Sequence, residues 1–318
     1  MRFLLLALLL LSSSARAQTD IHTICQSQFA LCLLQIPKEL EKTGSNKLLE
    51  ASYTIYQLNA LFNLGRYIEL KQKTSELITT VDTLPTMLQL KVYIYHAKML
   101  ASDSNFEETE QYLRKAKVLF QQILASGSHV SMLIDFANLH IYTKEYEEGI
   151  QLLEELAERH RERPNAQIKS RIHLNLGNLR MHLNAYAGAQ REYEKALHYA
   201  HEANIEAQVL LSSYNLARSF QEQEHDIRAI NLFQQVLRES TRLRRPSVIS
   251  LTHFRLGQLF SKRQQWQQVV FHLEQVLPVE LNDGFKDERE TMYTQANTEL
   301  IRLSQRTPDA QGLGGGSQ

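Results

Sequence analysis

Small side chains recur along the chain at one interval: Ala97, Ala137, Gly177, Ala217 and Gly257 lie forty residues apart. Other columns keep the same spacing. Nine residues after each small position stand Phe106, Tyr146, Tyr186, Asp226 and Trp266, aromatic in all cases but one. A second small column, Thr109, Gly149, Ala189, Ala229 and Val269, follows these three residues on. Next come large apolar residues at Leu113, Leu153, Tyr193, Phe233 and Leu273, and then Ala116, Leu156, Ala196, Val236 and Val276. A weaker copy at Leu58, Tyr67, Leu70 and Leu77 precedes the array, one residue out of phase. Antiparallel helices approach closely where side chains are small, and larger apolar residues one turn along fill the space between neighbouring pairs. The pattern therefore predicts stacked helical hairpins, none able to bury its faces alone. An aromatic ring in the column after the small residue is placed to plug the turn between two helices.

Prolines agree with this division, since Pro85, Pro164 and Pro246 fall near the joins between units, where a residue without an amide donor is tolerated. Leu176-Gly177 followed by Tyr186, Ala189, Tyr193 and Ala196 resembles the tetratricopeptide repeat family, matching its small and large positions in order. The resemblance spans about three quarters of the chain. It implies an all-α fold, a right-handed α-solenoid of about six helical hairpins over residues 50–289. Residues 18–49 then read as an N-terminal helical cap, broken near Pro37 and Gly44, residues 290–306 as a C-terminal capping helix and residues 307–318 as a disordered tail. The family's usual period is about 34 residues. A period of forty implies helices about three residues longer, or longer turns.

In that family the first helix of each hairpin lines a concave groove, with residues flanking the small position pointing into it. Two residues before it stand Tyr95, Asp135, Asn175, Asn215 and Arg255, and one residue after it Lys98, Asn138, Asn178, Arg218 and Gln258. These positions share a helix face, polar from Asp135 to Gln258 and so unlike a core. An asparagine amide offers a donor and an acceptor to the backbone of an extended peptide. Asn175 and Asn215 are similar to the asparagine ladder of some family members, whereas Asp135 and Arg255 bring charge instead. The candidate partner-binding residues are Asn138, Asn175, Asn178, Asn215, Arg218, Arg255 and Gln258.

The first residues change the picture of where this happens. Arg2, an apolar run from Phe3 to Leu11, and Ala15-Arg16-Ala17 make residues 1–17 a secretory signal peptide with cleavage before Gln18. The run is too short to cross a bilayer, which takes about twenty residues, and no later stretch qualifies, so stable membrane insertion is not expected. The chain contains no Asn-x-Ser/Thr acceptor, which favours a bacterial periplasm over an animal secretory pathway, with an extracellular site as the alternative. Equal numbers of acidic and basic residues, 35 each, argue against a nucleic-acid partner. Cys25 and Cys32 are seven residues apart. In one continuous helix they would be separated by about 10.5 Å of rise, beyond the roughly 7 Å a disulfide spans, and both thiols would be free. If the chain bends between them, they are bonded.

Chemistry has few residues to stand on, because nucleophile-elbow, zinc-protease and phosphate-loop motifs are all missing. Glu194, His198 and His201 share a helical face with metal-ligand spacing, and read better as solvated surface. His173 and His253 occupy equivalent positions and read as packing side chains, Trp266 as a turn plug, and Arg238, Arg242, Arg244 and Arg245 as a solvated helix end. No cofactor or metal is expected. The sequence thus predicts a non-catalytic adaptor that binds an extended protein segment, with an envelope-complex component as partner; a separate periplasmic sensing subunit is the alternative.

Overall fold

The computed structural model describes residues 21–103, 105–125, 130–278, 281 and 283–306. The leader expected over residues 1–17 and the tail expected over residues 307–318 lie outside the described residues. Helix is the dominant element, and no strand occurs among the described residues. The chain divides into two compact units, Met1–Leu64 and Gly65–Gln318.

The first unit holds α1 (Ile21–Ser27), α2 (Phe29–Glu41) and α3 (Lys47–Leu64). Gln28 interrupts the helix, and the bend brings the Cys25 and Cys32 α-carbons to 4.8 Å, with their sulfurs bonded. Of the two sequence alternatives the chain takes the bent one. The disulfide is buried with Ile24, Ile36 and Ala60, so it staples α1 to α2 above α3. The break expected near Pro37 is not there, because Pro37 lies inside α2. A proline removes one backbone bond from a helix, but Cys32 and Ile36, fully buried on the same element, hold it against α3. Gly44 takes the left-handed turn after the helix, at φ 55°.

The second unit begins with α4 (Tyr67–Ile78) and a short 3-10 turn, Val81–Thr83. Five hairpins follow: α5 (Thr86–Ser102) with α6 (Phe106–Ala125), α7 (Val130–Thr143) with α8 (Tyr146–Arg159), α9 (Ala166–His182) with α10 (Tyr186–Glu202), α11 (Glu206–Glu222) with α12 (Asp226–Arg242), and α13 (Pro246–Lys262) with α14 (Trp266–Glu274). Then α15 (Asp283–Arg306) packs on α14 and α13. The helices of the weak first copy, α3 and α4, fall on either side of the division between units.

From α9 to α14 each helix begins twenty residues after the last, at 166, 186, 206, 226, 246 and 266. The forty-residue period is therefore a doubled twenty: seventeen residues of helix and three of turn. Each turn closes in the same way. The middle residue adopts positive φ at Asn184, Asn204, Glu224, Arg244 and Gln264. The amide after it then donates to a carbonyl five residues back, as from Ala185 to Arg180, His225 to Phe220 and Arg245 to Ser240, each at 2.9 Å. The turn residue's own amide donates to the carbonyl three residues back, as from Asn184 to Met181 at 3.1 Å, and the two bonds together satisfy carbonyls that a helix end leaves open. Only the asparagines enter the left-handed region readily; for the others it costs about 1 kcal/mol.

The columns meet inside the hairpins. Ala97, Ala137 and Ala217 are fully buried, as are Leu153, Tyr193, Phe233 and Leu273 opposite them. At Gly177 an added Cβ would collide with the Tyr193 ring, 2.6 Å from its Cδ1, and at Gly257 it would lie 2.6 Å from Leu273 Cδ2. The aromatic column is less uniform than the sequence implies. Tyr146 stacks on His182 with ring centroids 5.5 Å apart, Tyr186 donates to the turn residue Asn184 at 2.8 Å, and Trp266 packs on the core. Phe106 is 72 % exposed and plugs no turn.

Candidate partner-binding face

Helices α5, α7, α9, α11 and α13 present the polar row, and its residues repeat at every hairpin because the period is strict. Four residues before the first column lies a further one that sequence reasoning passed over: Lys91, Ser131 and Arg171. Together the columns stand at i, i+4 and i+7 of each helix, one face. Across three successive first helices they form a charged cluster. Asp135 on α7 pairs with Lys91 on α5 and with Arg171 Nη2 on α9 at 2.9 Å, while Arg171 Nη1 donates to Ser131 Oγ at 2.9 Å. Burial pushes the Asp135 carboxyl up, but Lys91 and Arg171 outweigh it and hold it below its ordinary value. Lys98 is buried beside the Tyr95 ring, 5.6 Å from its centroid, and burial brings its ammonium down to about 8 against the opposing pull of Asp135.

Further along, the asparagines are half-buried and partly engaged. Asn175 Nδ2 donates to the Arg171 carbonyl one turn back at 2.8 Å, and Asn178 Oδ1 accepts from the Tyr193 hydroxyl at 3.0 Å. Asn215 Oδ1 accepts from Arg218 Nη1 at 3.3 Å. Asn138 is half-buried on α7. Among the described residues these bonds leave unused the Asn175 carbonyl oxygen and the amide hydrogens of Asn178 and Asn215, so that an acceptor on α9 and a donor on α11 stand one hairpin apart. The Arg218 Nε is buried without a partner among the described residues.

At the last hairpin the row departs from expectation. Arg255 is only 8 % exposed, and α13 is buried on all sides from Thr252 to Gly257. The reason is α15, which covers this face. Phe285 lies 5.3 Å beneath the Arg255 guanidinium, and Gln258 Nε2 donates to Glu288 Oε1 at 2.7 Å. A cavity of about 340 Å³ remains between α11, α13 and α15, with Gln221, Glu222, Arg255, Gln258, Lys262 and Glu288 in its wall.

The other candidates fall elsewhere. Glu194, His198 and His201 are exposed on α10, away from the row, and Glu194 accepts from Gln190 at 2.8 Å. His173 Nδ1 meets Glu192 Oε2 at 2.7 Å, and in the equivalent place two repeats on His253 Nδ1 meets His272 Nδ1 at 2.9 Å. Burial lowers both imidazoles of the second pair, His272 to about 4. The basic run divides: Arg242 is exposed and pairs with Glu206 and Glu239, Arg244 is an exposed turn residue, and Arg245 is buried instead of solvated. Its position directly after the turn residue directs it inward. Among the described residues no helix is long and apolar enough to cross a membrane.

No protein-family model and no curated protein sequence matches this chain. It is similar to solved helical-repeat structures at low identity. The apo form of RapI shares 16 % identity, with 89 % of this chain and 82 % of that one covered and a TM-score of 0.48. Bacillus thuringiensis PlcR, solved with the peptide PapR7 and DNA, shares 13 % over 61 % of this chain and 70 % of that one, with a TM-score of 0.47. BtubC from P. vanneervenii shares 16 % over 72 % of this chain and 97 % of that one, with a TM-score of 0.43.

Proposed function

We propose that this protein is a non-catalytic adaptor of the bacterial envelope, holding an extended segment of a partner protein against the face formed by its first helices. The observation that carries the reading is the polar row itself. Side chains able to bond a peptide backbone stand at one register on successive helices, the Asn175 acceptor and the Asn215 donor among them, fixed by bonds to their own helices. A partner lying across them meets preorganised groups, which limits the ordering cost of binding.

Export is part of the same proposal. It is supported by the leader pattern of residues 1–17 and by the Cys25–Cys32 bond, since disulfides persist chiefly in oxidising compartments. Mass spectrometry of the natural protein's N-terminus checks it, with Gln18 as the first residue if the leader is removed. The adaptor reading is tested by affinity capture from the exported fraction, comparing the wild type with Asn175→Ala/Asn215→Ala/Arg218→Ala. Each lost bond to a buried partner group costs about 1–3 kcal/mol, so a partner held here disappears from the variant's capture. An unchanged set of captured proteins, with the variant folded, moves the binding surface elsewhere.

A further inference from the structure

The cavity between α11, α13 and α15 is walled almost entirely by polar side chains, and their bonds do not balance. Three carboxylates, Glu222, Asp226 and Glu288, face two cations, Arg255 and Lys262. Lys262 is engaged with Asp226 at 3.4 Å and with Glu224 at 3.5 Å. Arg255 Nη1 is 3.9 Å from Glu222 Oε1, too long for a hydrogen bond, and bonds Gln258 Oε1 at 3.1 Å instead. Glu288 accepts from the neutral amide of Gln258. Glu222 thus has only this long ion pair with no hydrogen bond in it, and Glu288 has no cation beside it among the described residues.

Two further groups are orphaned. Arg255 Nε and Gln221 Oε1 are buried without a hydrogen-bond partner among the described residues, although Gln221 Nε2 donates to Gln258 Oε1 at 3.1 Å. Leaving such a donor or acceptor buried and unbonded costs about 1–3 kcal/mol each. A peptide group supplies what both lack, a carbonyl for Arg255 Nε and an amide hydrogen for Gln221 Oε1. A basic side chain supplies what Glu222 and Glu288 lack. The volume of about 340 Å³ lies at the small end of ligand sites, which run to roughly 1,000 Å³, and suits a single residue.

We infer that this cavity is a specificity pocket for a lysine or arginine of the bound segment, with Glu222 and Glu288 receiving its cation and Arg255 and Gln221 its backbone. The inference rests on the groove reading above and names the chemistry at one end of it. Arg255 and Gln258 then serve the pocket from beneath α15, not an open groove.

The test uses the full chain and fluorescently labelled, end-blocked nonapeptides of Gly and Ser carrying one central Lys, norleucine or Glu, with affinities read by anisotropy at low salt. The lysine peptide binds the wild type about tenfold or more tightly than the other two. In Glu222→Gln/Glu288→Gln, which keeps the size of both side chains, the three affinities converge to within about twofold. Equal affinities for lysine and norleucine on the wild type, or a lysine preference that survives in the double variant, overturn the inference. Asn175→Ala/Asn215→Ala separates it from the groove reading: that variant weakens all three peptides alike if the row holds backbone. Equal binding of the three that the asparagine variant weakens overturns the pocket and leaves the groove. No binding of any peptide overturns the pocket outright.

Discussion

Gly177→Ala adds one methyl group where α9 and α10 approach most closely, and the structure sets its sign. The new Cβ would lie 2.6 Å from Tyr193 Cδ1 and 2.9 Å from Cζ. Tyr193 is fully buried and its hydroxyl is bonded to Asn178, so the ring cannot swing aside without losing both. Overpacking of this kind costs about 1–3 kcal/mol, whereas Gly to Ala inside a helix returns about 1 kcal/mol. With three atoms of the Tyr193 ring closer than 3.0 Å to the added Cβ, the cost falls at the upper end of that range, and the expected net loss is about 2 kcal/mol. Gly188 supplies the control on the partner helix, because its nearest neighbour, Arg180 Cδ, would lie 3.4 Å from an added Cβ at the end of a flexible side chain. Gly188→Ala is therefore stabilising by about 0.5–1 kcal/mol. Urea unfolding followed by circular dichroism, with amide exchange in α9 and α10 to localise the effect in a repeat array, measures both. Tyr193→Leu, the residue found at the same place after Ala97 and Ala137, should recover most of the Gly177→Ala loss in the double variant. A Gly177→Ala protein as stable as the wild type would refute the close-packing argument.

Other consequences follow from the turns, the histidines and the disulfide. Arg244→Gly and Gln264→Gly remove a left-handed side chain at an exposed turn and should each raise stability by about 0.5–1 kcal/mol, read as a higher urea midpoint; a lower one contradicts the capping scheme. His272 is held neutral by burial, at about 4 against its ordinary 6.5. The unfolded chain therefore takes up the proton first, stability is fully present above pH 6.5, and up to about 3 kcal/mol is lost as pH falls from there to 4. His272→Asn should flatten that part of a stability–pH profile, and an unaltered slope would remove the assignment. Cys25→Ser/Cys32→Ser opens a loop of seven residues and should cost the first unit about 2 kcal/mol; thiol labelling of the unreduced, denatured wild type should find no reactive cysteine.

The repeat was legible because its columns carry packing: side-chain volume at Gly177 and Tyr193, or at Gly257 and Leu273, is constrained wherever helices touch, and spacing alone exposes it. The twenty-residue half-period was hidden for the opposite reason. The turns are closed by backbone bonds that form with Glu224, Arg244 and Gln264 at the left-handed position as they do with asparagine, at a conformational cost of about 1 kcal/mol, so no glycine marks them. Burial of Arg255 depends on α15 returning to cover α13, a contact thirty residues away in sequence that no local pattern encodes. Bending at Gln28 instead of Pro37 is of the same kind, decided by the disulfide and by packing on α3. The Lys91, Ser131 and Arg171 column was readable, lying one helical turn before a column already recognised, and only the contact to Asp135 reveals its use.

The most direct test of partner binding is photo-crosslinking in native cells, with a photoreactive phenylalanine placed singly at Asn138, Asn178 and Arg218 on the row and at Arg191 and Gln235 on the exposed sides of α10 and α12. The proposed function predicts one protein joined to all three row positions and to neither outer one. The same protein joined through Arg191 or Gln235, with none through the row, would contradict it.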